Sequence, residues 1–306
     1  MKRFVVCMLI CWSLFACATA HAQAQALDVP YVPTPPEVVE AMLRMANVGA
    51  DDYVVDLGCG DGRLVITAAK RYGAHGFGVD LDPRLVNEAQ REAARQGVQD
   101  RVAFYERNLY VTDFSPASVL MLYLFQKVNL DLRPRLFREV RPGTRVVSHD
   151  FDFGAWEPDA KQIVAVPGKS YGAPRSTLYF WIVPADASGH WSWQLDERGS
   201  ARDYDIALEQ TFQMLRAQAS GAVRAGAGRV RGNEIRFTLT VQAGERAIRE
   251  EYRGRLAGDT IEGTVRSEDA AGERAWKATR VARGKINIEG FVATPDKSSL
   301  REEKTQ

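Results

Sequence analysis

The sequence predicts an α/β domain built on a seven-stranded sheet, followed by a small all-β domain that is either a barrel or a sandwich. Apolar runs that suit buried strands alternate with amphipathic segments from about residue 36 to 184, which is typical of a parallel sheet covered by helices. From 190 to about 282, short alternating runs are separated by Gly-rich turns without helical periodicity. These patterns divide the chain into an α/β domain (29–184), a β-rich domain (190–285) and a charged tail (286–306) that we expect to be disordered.

The helices of the first domain have recognisable boundary residues. Pro36 suits a first helical turn, and apolar residues then recur at helical spacing. Gly73 is a natural C-terminal cap for the second helix. Asp82 and Pro83 supply an N-cap and a first-turn proline for the third. The predicted helices cover residues 36–49, 64–72, 83–97 and 130–140.

The strands of the first domain are short apolar runs between these helices. The run 119–125 is uninterrupted, as expected of a central parallel strand that is covered on both faces. The last two strands are separated by too few residues for a crossover helix, so we expect them to be antiparallel. The predicted strands cover residues 53–56, 77–80, 102–106, 119–125, 145–151, 163–166 and 177–183.

A glycine-rich turn follows the first strand. That strand ends in Asp56 and leads into Gly58, Gly60 and Gly62, and the second strand ends in Asp80. Glycine lets the backbone turn sharply and approach a ligand closely. An acid at the carboxyl end of the second strand can accept hydrogen bonds from both ribose hydroxyls. The pattern therefore predicts a nucleoside-binding site.

The residue after the last of these glycines distinguishes between classes of nucleoside. Dinucleotide-binding loops have a glycine at the position of Arg63, so NAD is disfavoured. The loop instead resembles motif I of class I S-adenosylmethionine-dependent methyltransferases. Residues 29–34, 104–110 and 148–159 resemble, more specifically, the protein-lysine methyltransferases that act on the c-subunit of ATP synthase and on adenine nucleotide translocase, and their bacterial relatives. The resemblance covers about residues 29–184.

This resemblance implies a Rossmann-like, seven-stranded methyltransferase sheet with S-adenosyl-L-methionine as its cofactor. The glycine loop would form the floor of the site, Asp80 would hold the ribose and Thr34 would close over the methionine end. The family usually has an acid where this chain has Asn108, so we expect adenine to bind more weakly, by about 1 kcal/mol. The residues expected to bind the cofactor are Thr34, Asp56, Gly58, Gly60, Asp61, Gly62, Asp80, Leu81, Asn108 and Leu109.

The methyl acceptor is expected beyond the fourth strand. Enzymes that methylate base amino groups carry an Asn/Asp-Pro-Pro-aromatic motif there, whereas residues 122–127 read LYLFQK, so DNA and RNA bases are not expected as acceptors. A lysine acceptor needs an apolar, aromatic channel that lowers its pKa. The residues expected to line this channel or to act in catalysis are Tyr31, Tyr123, Phe125, His149 and Trp156, together with Phe151 and Phe153.

Some of these residues also have a structural interpretation. Phe125 and Phe151 could equally belong to the hydrophobic core. His149 could act as a base, but a histidine at the end of a strand more often makes a structural hydrogen bond. Cys59, inside the glycine loop, is expected to be a small packing residue and not a nucleophile. No His/Cys cluster has the spacing of metal ligands, so no metal is expected.

Composition narrows the range of partners. The 306 residues include 40 basic and 39 acidic side chains, and a net charge of +1 creates no overall field for nucleic acid or an anionic membrane. Three of the four cysteines lie within the first seventeen residues, which excludes a disulfide framework. The arginines at outer positions of the β-rich domain are expected to form a solvated surface.

The N-terminus is typical of a bacterial secretory signal. A basic start, MKR, precedes an apolar run over 4–20 and a series of small residues. We therefore expect a signal peptide over 1–24 and export to the periplasm. Lipidation at Cys17 and an uncleaved anchor are less favoured alternatives, and any membrane association would use this segment only. Export would separate the protein from the cytosol, where S-adenosylmethionine is made.

Together these features predict an exported S-adenosylmethionine-dependent methyltransferase that acts on a protein lysine or a small molecule by direct in-line transfer. The alternative from a different class is an exported, non-catalytic binding protein that retains the methyltransferase scaffold.

Overall fold

The computed structural model describes residues 30–290 except 170–171, 198–199, 220–222, 225, 244 and 271. The predicted signal peptide and residues 291–306 of the predicted tail lie outside the described residues. Residues 286–290, which were assigned to the disordered tail, instead contact the folded domains: Phe212 N–H donates to the Asn287 carbonyl oxygen at 2.9 Å, and Ile288 packs against the core of the first domain. Within the described part of the chain, no helix is both long and apolar enough to cross a membrane.

The first domain alternates strands and helices, as predicted. Its helices are α1 (Pro36–Met45), α2 (Arg63–Tyr72), α3 (Pro83–Arg95) and α4 (Gln126–Glu139). Its strands are β1 (Tyr53–Leu57), β2 (His75–Asp80), β3 (Val102–Glu106), β4 (Val119–Leu122), β5 (Arg145–His149), β6 (Ala160–Ala165) and β7 (Arg175–Ile182). A short 3₁₀ helix, Leu109–Val111, follows β3.

The seven strands form one sheet in the order β3-β2-β1-β4-β5-β7-β6. Strands β1 to β5 are parallel, whereas β7 is antiparallel to both β5 and β6, which confirms the prediction for the last pair. The strand order reverses between β1 and β4. In open α/β sheets a ligand crevice forms at such a reversal, outside the carboxyl ends of the strands.

The helix boundaries follow the residues that predicted them. The Asp82 carboxylate accepts a hydrogen bond from the Arg84 backbone N–H at 2.9 Å and caps α3. Pro36 and Pro83 lie in the first turns of α1 and α3. Gly73 ends α2 in the left-handed conformation, where a side chain would be strained.

Two strands are shorter than predicted and do not include the aromatic residues assigned to their ends. β4 ends at Leu122 and β5 at His149. Leu122 pairs with Ser148 in the last register between them, and Asp150 then adopts φ 61°, so the ladder cannot continue. The residues released from β4 lead directly into α4, which therefore begins at Gln126, earlier than predicted.

The second domain is a closed antiparallel barrel, so the barrel is the correct one of the two predicted architectures. The strands pair antiparallel in chain order, except that β10 pairs with β12, and β16 pairs with β8 to close the ring. β11 and β12 both pair with β13, as two parts of one strand, so the barrel has eight strands. The strands are β8 (Gly189–Glu197), β9 (Ser200–Thr211), β10 (Met214–Ala219), β11 (Val223–Arg224), β12 (Gly226–Arg231), β13 (Glu234–Ala243), β14 (Arg246–Ala257), β15 (Thr260–Ser267) and β16 (Glu273–Arg283).

Aromatic rings fill the interior of the barrel. Trp193 stacks on Tyr204 with ring centroids 5.0 Å apart, and Phe237 stacks on Tyr252 at 4.8 Å. Glu250 is buried among them and accepts hydrogen bonds from the Tyr204 and Tyr252 hydroxyls at 3.0 and 2.6 Å. These contacts make the barrel a packed, rigid body.

Candidate functional site

A cleft opens at the carboxyl ends of β1, β2 and β4, at the position where the strand order reverses. The N-terminal segment 30–34 covers one side of it. The predicted site residues that line this cleft are Tyr31, Thr34, Asp56, Gly58, Gly60, Asp61, Asp80 and Tyr123. The predicted residues outside its lining are Gly62, Leu81, Asn108, Leu109, Phe125, His149 and Trp156.

The glycine loop packs closely under the Tyr31 ring. Gly60 has φ 54°, and a Cβ atom there would lie 2.5 Å from Cε2 of Tyr31. A side chain at position 60 would therefore displace the ring in addition to being strained. Burial, followed by the charge of Asp61, raises the pKa of Tyr31 to about 12, so its hydroxyl stays protonated.

The Asp80 carboxylate is held in place by backbone N–H groups. Its Oδ2 accepts from Gly60 N–H and its Oδ1 accepts from Asp82 N–H, both at 2.9 Å. Each carboxylate oxygen retains a further lone pair. The side chain therefore ties the glycine loop to the end of β2 and can still accept hydrogen bonds from a ligand hydroxyl pair.

Asp56 is a buried acid at the bottom of the cleft. Its side chain lies among apolar strands and is only 3 % exposed. Burial, together with the nearby charges of Asp80 and Asp61, raises the pKa of Asp56 to about 8. A cationic ligand group would relieve this unfavourable environment, because an opposite charge stabilises the ionised carboxylate.

Arg63 fastens the N-terminal segment to the glycine loop. Its Nη1 donates to the Thr34 carbonyl oxygen at 2.8 Å, and its Nε and Nη2 donate to the Asp61 carboxylate at 2.9 and 2.5 Å. Sequence reasoning treated Arg63 only as the residue that excludes NAD, and missed this role. The close spacing of Asp61 and Arg63 could have suggested their ion pair. Nothing in the sequence indicated that Arg63 also binds Thr34, which is distant in the chain.

Tyr123 connects the cofactor cleft to a group of aromatic residues beyond β4 and β5. Its ring stacks on the His149 ring with centroids 3.8 Å apart. Phe125 and Phe151 meet edge to face at 5.5 Å, and Phe125 is 43 % exposed, so Phe125 is not a core residue. We refer to Tyr123, Phe125 and Phe151 as the aromatic wall.

His149 lies behind the aromatic wall and not on its surface. It is fully buried, and its Nε2 is 2.8 Å from Ser176 Oγ. Lys169 bridges the same hydroxyl at 3.2 Å and the Asp150 carboxylate at 2.8 Å. Burial lowers the pKa of His149 to about 4, partly opposed by the charge of Asp150. His149 is therefore a buried support for Tyr123, and its contact with Ser176 is the kind of structural hydrogen bond that the sequence favoured over a role as a base.

The prediction that Trp156 and Phe153 line the acceptor channel is wrong. Both side chains are fully buried. Trp156 packs against Trp181 at 5.7 Å and against Phe212 of the barrel at 6.3 Å. These aromatic residues belong to the core at the junction between the two domains, where a substrate cannot reach them.

The predicted adenine-contacting residues follow β3. The Asn108 Oδ1 atom accepts a hydrogen bond from Tyr110 N–H at 2.8 Å and caps the short 3₁₀ helix that begins at Leu109. Leu109 packs against the core of the first domain, and Leu81 is partly exposed beside Asp80. Their contacts with adenine remain predictions.

Two further expectations concern reactive groups. Cys59 is buried, and burial raises the pKa of its thiol well above the usual value, which confirms a packing role. No group of His, Cys, Asp and Glu among the residues that the structure describes could hold a metal ion.

Comparison with known proteins identifies the family. A family model for the ANTKMT methyltransferase domain matches residues 56–160. A protein-lysine N-methyltransferase of Saccharolobus islandicus is 41 % identical over 156 residues, which cover 51 % of this chain and 94 % of that protein. This chain belongs to that family of S-adenosylmethionine-dependent methyltransferases.

Other relatives of this methyltransferase match a similar share of the chain. The human lysine N-methyltransferase of the ATP synthase C-subunit is 34 % identical over 131 residues, and the match covers 43 % of this chain and 55 % of the human protein. The structure of an RNA methyltransferase from Salinibacter ruber in complex with S-adenosyl-L-homocysteine is 47 % identical. It matches 49 % of this chain and 93 % of that chain, with a TM-score of 0.45.

The residues of the cleft fit the cofactor of this family, S-adenosyl-L-methionine. Asp80 presents fixed acceptors that suit a ribose, and the buried Asp56 carboxyl suits a cationic group. The segment over 30–34 encloses the remaining side.

Proposed function

We propose that this methyltransferase transfers a methyl group to the side-chain nitrogen of a protein lysine by direct in-line displacement. The observation that carries the proposal is the aromatic wall, because Tyr123 lines the cofactor cleft while Phe125, two residues further along the chain, is exposed and in contact with Phe151. Relatives named as lysine methyltransferases, including the human one named for ATP synthase, support this choice of acceptor.

The main chemical requirement is a neutral amine. Deprotonation of a lysine with its ordinary pKa near 10.4 costs about 4.6 kcal/mol at pH 7. Burial against aromatic rings lowers the pKa of an amine, by up to about 3 to 5 units when burial is complete. When bound, the cofactor supplies an activated methyl group on a cationic sulfonium, which favours a neutral neighbouring amine still further.

The wall also suits the product of the reaction. Aromatic faces attract methylated ammonium groups through cation–π interactions of about 0.5 to 2 kcal/mol. His149 is buried and neutral behind Tyr123, so it supports the ring and does not abstract the proton. Desolvation by Tyr123, Phe125 and Phe151 therefore takes the place of a dedicated base.

Two experiments test this function. Calorimetry on the mature protein should show binding of S-adenosylhomocysteine that is strongly weakened in Asp80→Ala; absence of heat from the unsubstituted protein would refute the methyltransferase proposal. Mass spectrometry of envelope proteins from a strain that lacks the gene should then reveal a lysine that has lost its methyl groups. A methylated small molecule in place of a lysine would redirect the acceptor to the small-molecule class.

A non-catalytic binding protein is the second candidate, and one observation favours it. Asn108 presents a neutral amide oxygen to the adenine amino group where the family usually has an acid, and Tyr110 N–H already uses one of its two lone pairs. Binding of S-adenosylhomocysteine without methyl transfer to any protein or small-molecule fraction would support this candidate.

We also propose that the protein is exported. The basic start and the apolar run over 4–20 support this location. A reporter fused after residue 30 should appear in the periplasmic fraction, and a cytosolic reporter would contradict export.

A further inference from the structure

One residue of the barrel domain belongs to the core of the first domain. Phe212 lies in the turn between β9 and β10, yet it is buried among side chains of the methyltransferase sheet and α4. Its ring is 6.3 Å from that of Trp156 and 6.0 Å from that of Phe137. It adopts φ 51°, a conformation that is unfavourable for a side chain-bearing residue and that must be stabilised by its surroundings. The turn therefore inserts a barrel side chain into the core of the first domain.

The neighbouring residues of the barrel bind the same part of the first domain. The Gln213 side chain is buried, and its Nε2 donates to the Glu157 carbonyl oxygen at 2.6 Å. Arg229 of β12 forms an ion pair with Asp159. Both partners lie at the end of the segment 150–159, which connects β5 to β6.

The segment 150–159 links this junction to the aromatic wall. Phe151 is near its beginning, and Phe153 follows two residues later. Arg133 of α4 donates from Nη1 to the Phe153 carbonyl oxygen at 2.9 Å, and the Arg133 guanidinium lies 5.2 Å from the centroid of the Phe212 ring. The barrel thus supports the segment directly at Glu157 and through Arg133 at Phe153.

We propose that the barrel is a positioning element for the methyl-acceptor site, and that Phe212 and Gln213 are positioning residues for Phe151. This inference rests on the proposed role of the aromatic wall in holding the acceptor. A closed barrel with a filled aromatic interior suits the task, because its turn is held by a body that does not deform easily. It gives the second domain a role in the reaction without any contact between the barrel and the cofactor.

The test uses the full mature chain with 4-fluorophenylalanine introduced at position 151. Its fluorine spectrum is recorded in Phe212→Leu and Gln213→Ala, and in Phe237→Leu as the matched control. Phe237 is also a buried barrel phenylalanine, but it packs only inside the barrel, against Trp193, Tyr252 and Trp276. We expect the line to shift or split in the first two variants and to remain unchanged in the control.

Two further measurements identify the origin of any effect. Binding of S-adenosylhomocysteine should stay within about twofold in all three variants, because the cleft is not touched. Methyl incorporation is measured with total protein from a strain that lacks the gene as the acceptor. The rate should fall about tenfold in Phe212→Leu relative to the unsubstituted protein. Most of this fall should come from a higher apparent KM for the acceptor and less from a lower kcat.

The two proposals fail in different ways. An unchanged fluorine line together with unchanged incorporation in Gln213→Ala would overturn the positioning role, even if Phe212→Leu does not fold. Absence of S-adenosylhomocysteine binding by the unsubstituted protein would instead overturn the proposed function.

Discussion

Replacement of Asp80 by asparagine tests the centre of the cofactor site. Each oxygen of the carboxylate accepts one backbone N–H, from Gly60 and from Asp82, at 2.9 Å. Asparagine has one acceptor oxygen, so its amide group would face one of these N–H groups. A buried donor that loses its acceptor costs about 1 to 3 kcal/mol, and the free energy of unfolding should fall by that amount.

The same substitution should weaken cofactor binding. Hydrogen bonds to a charged acceptor contribute about 1.5 to 3 kcal/mol, and those to a neutral acceptor about 0.5 to 1.5 kcal/mol. For the two hydroxyls of a ribose, the loss in Asp80→Asn is about 1 to 3 kcal/mol, or about 5- to 150-fold in the Kd for S-adenosylhomocysteine. Calorimetry measures this ratio, and urea unfolding of the same samples measures the change in stability.

Asp82→Asn is the matched control. Asp82 lies two residues away and caps α3 through Arg84 N–H. Asparagine is as effective an N-cap as aspartate, so both the Kd and the stability should remain near the unsubstituted values. A Kd for Asp80→Asn within about twofold of that of the unsubstituted protein would refute the assignment of Asp80 to the ribose.

Three other predictions concern the same cleft. Gly60→Ala and Gly97→Ala both place a side chain at positive φ, so each should lower the free energy of unfolding in urea by about 1 to 2 kcal/mol. Only the Cβ atom added at position 60 would contact a neighbour, the Tyr31 ring, so only Gly60→Ala should weaken S-adenosylhomocysteine binding. Equal loss of affinity in both would contradict the packing of Tyr31 on the loop. Arg63→Ala removes the hydrogen bond to the Thr34 carbonyl oxygen that holds the segment over 30–34. The dissociation rate of S-adenosylhomocysteine should therefore rise about tenfold in stopped-flow measurements. An unchanged rate would show that Arg63 does not hold this segment over the ligand. The raised pKa of Asp56, about 8, means that a cationic ligand must displace a proton below pH 8, so affinity should increase about tenfold from pH 6 to 7 and level off above 8. This increase in affinity with pH should disappear in Asp56→Asn. If the increase persists in that variant, a titratable group other than Asp56 causes it.

The cofactor half of the site could be predicted from the sequence because its chemistry is local. Asp56 and the glycines follow directly after a strand, and Asp80 ends the neighbouring one, so the parallel order of β1 and β2 brings them together. Gly60 N–H and Asp80 Oδ2 do meet at 2.9 Å.

The acceptor half depended on partners that are distant in the chain. Trp156 was assigned to a channel because it follows β5, but its burial depends on Phe212, which the barrel supplies. The position of His149 likewise depends on Ser176 in β7. No local pattern contains these pairings, since the first arises only when the sheet and the barrel are both folded and the second only when β5 and β7 have paired.

The way in which the barrel closes has a consequence for how the two halves of the chain fold. Most barrel strands pair with a strand that is their neighbour in the chain, and local pairings of this kind form quickly. The last ladder of the barrel must bring Gly189 together with Arg283, at opposite ends of that domain. Pairing between residues so far apart in the chain forms slowly, so we expect this ladder to form after the hairpins. The core of the first domain is therefore expected to gain its final rigidity only when the ring of strands is complete and Phe212 is held in that core.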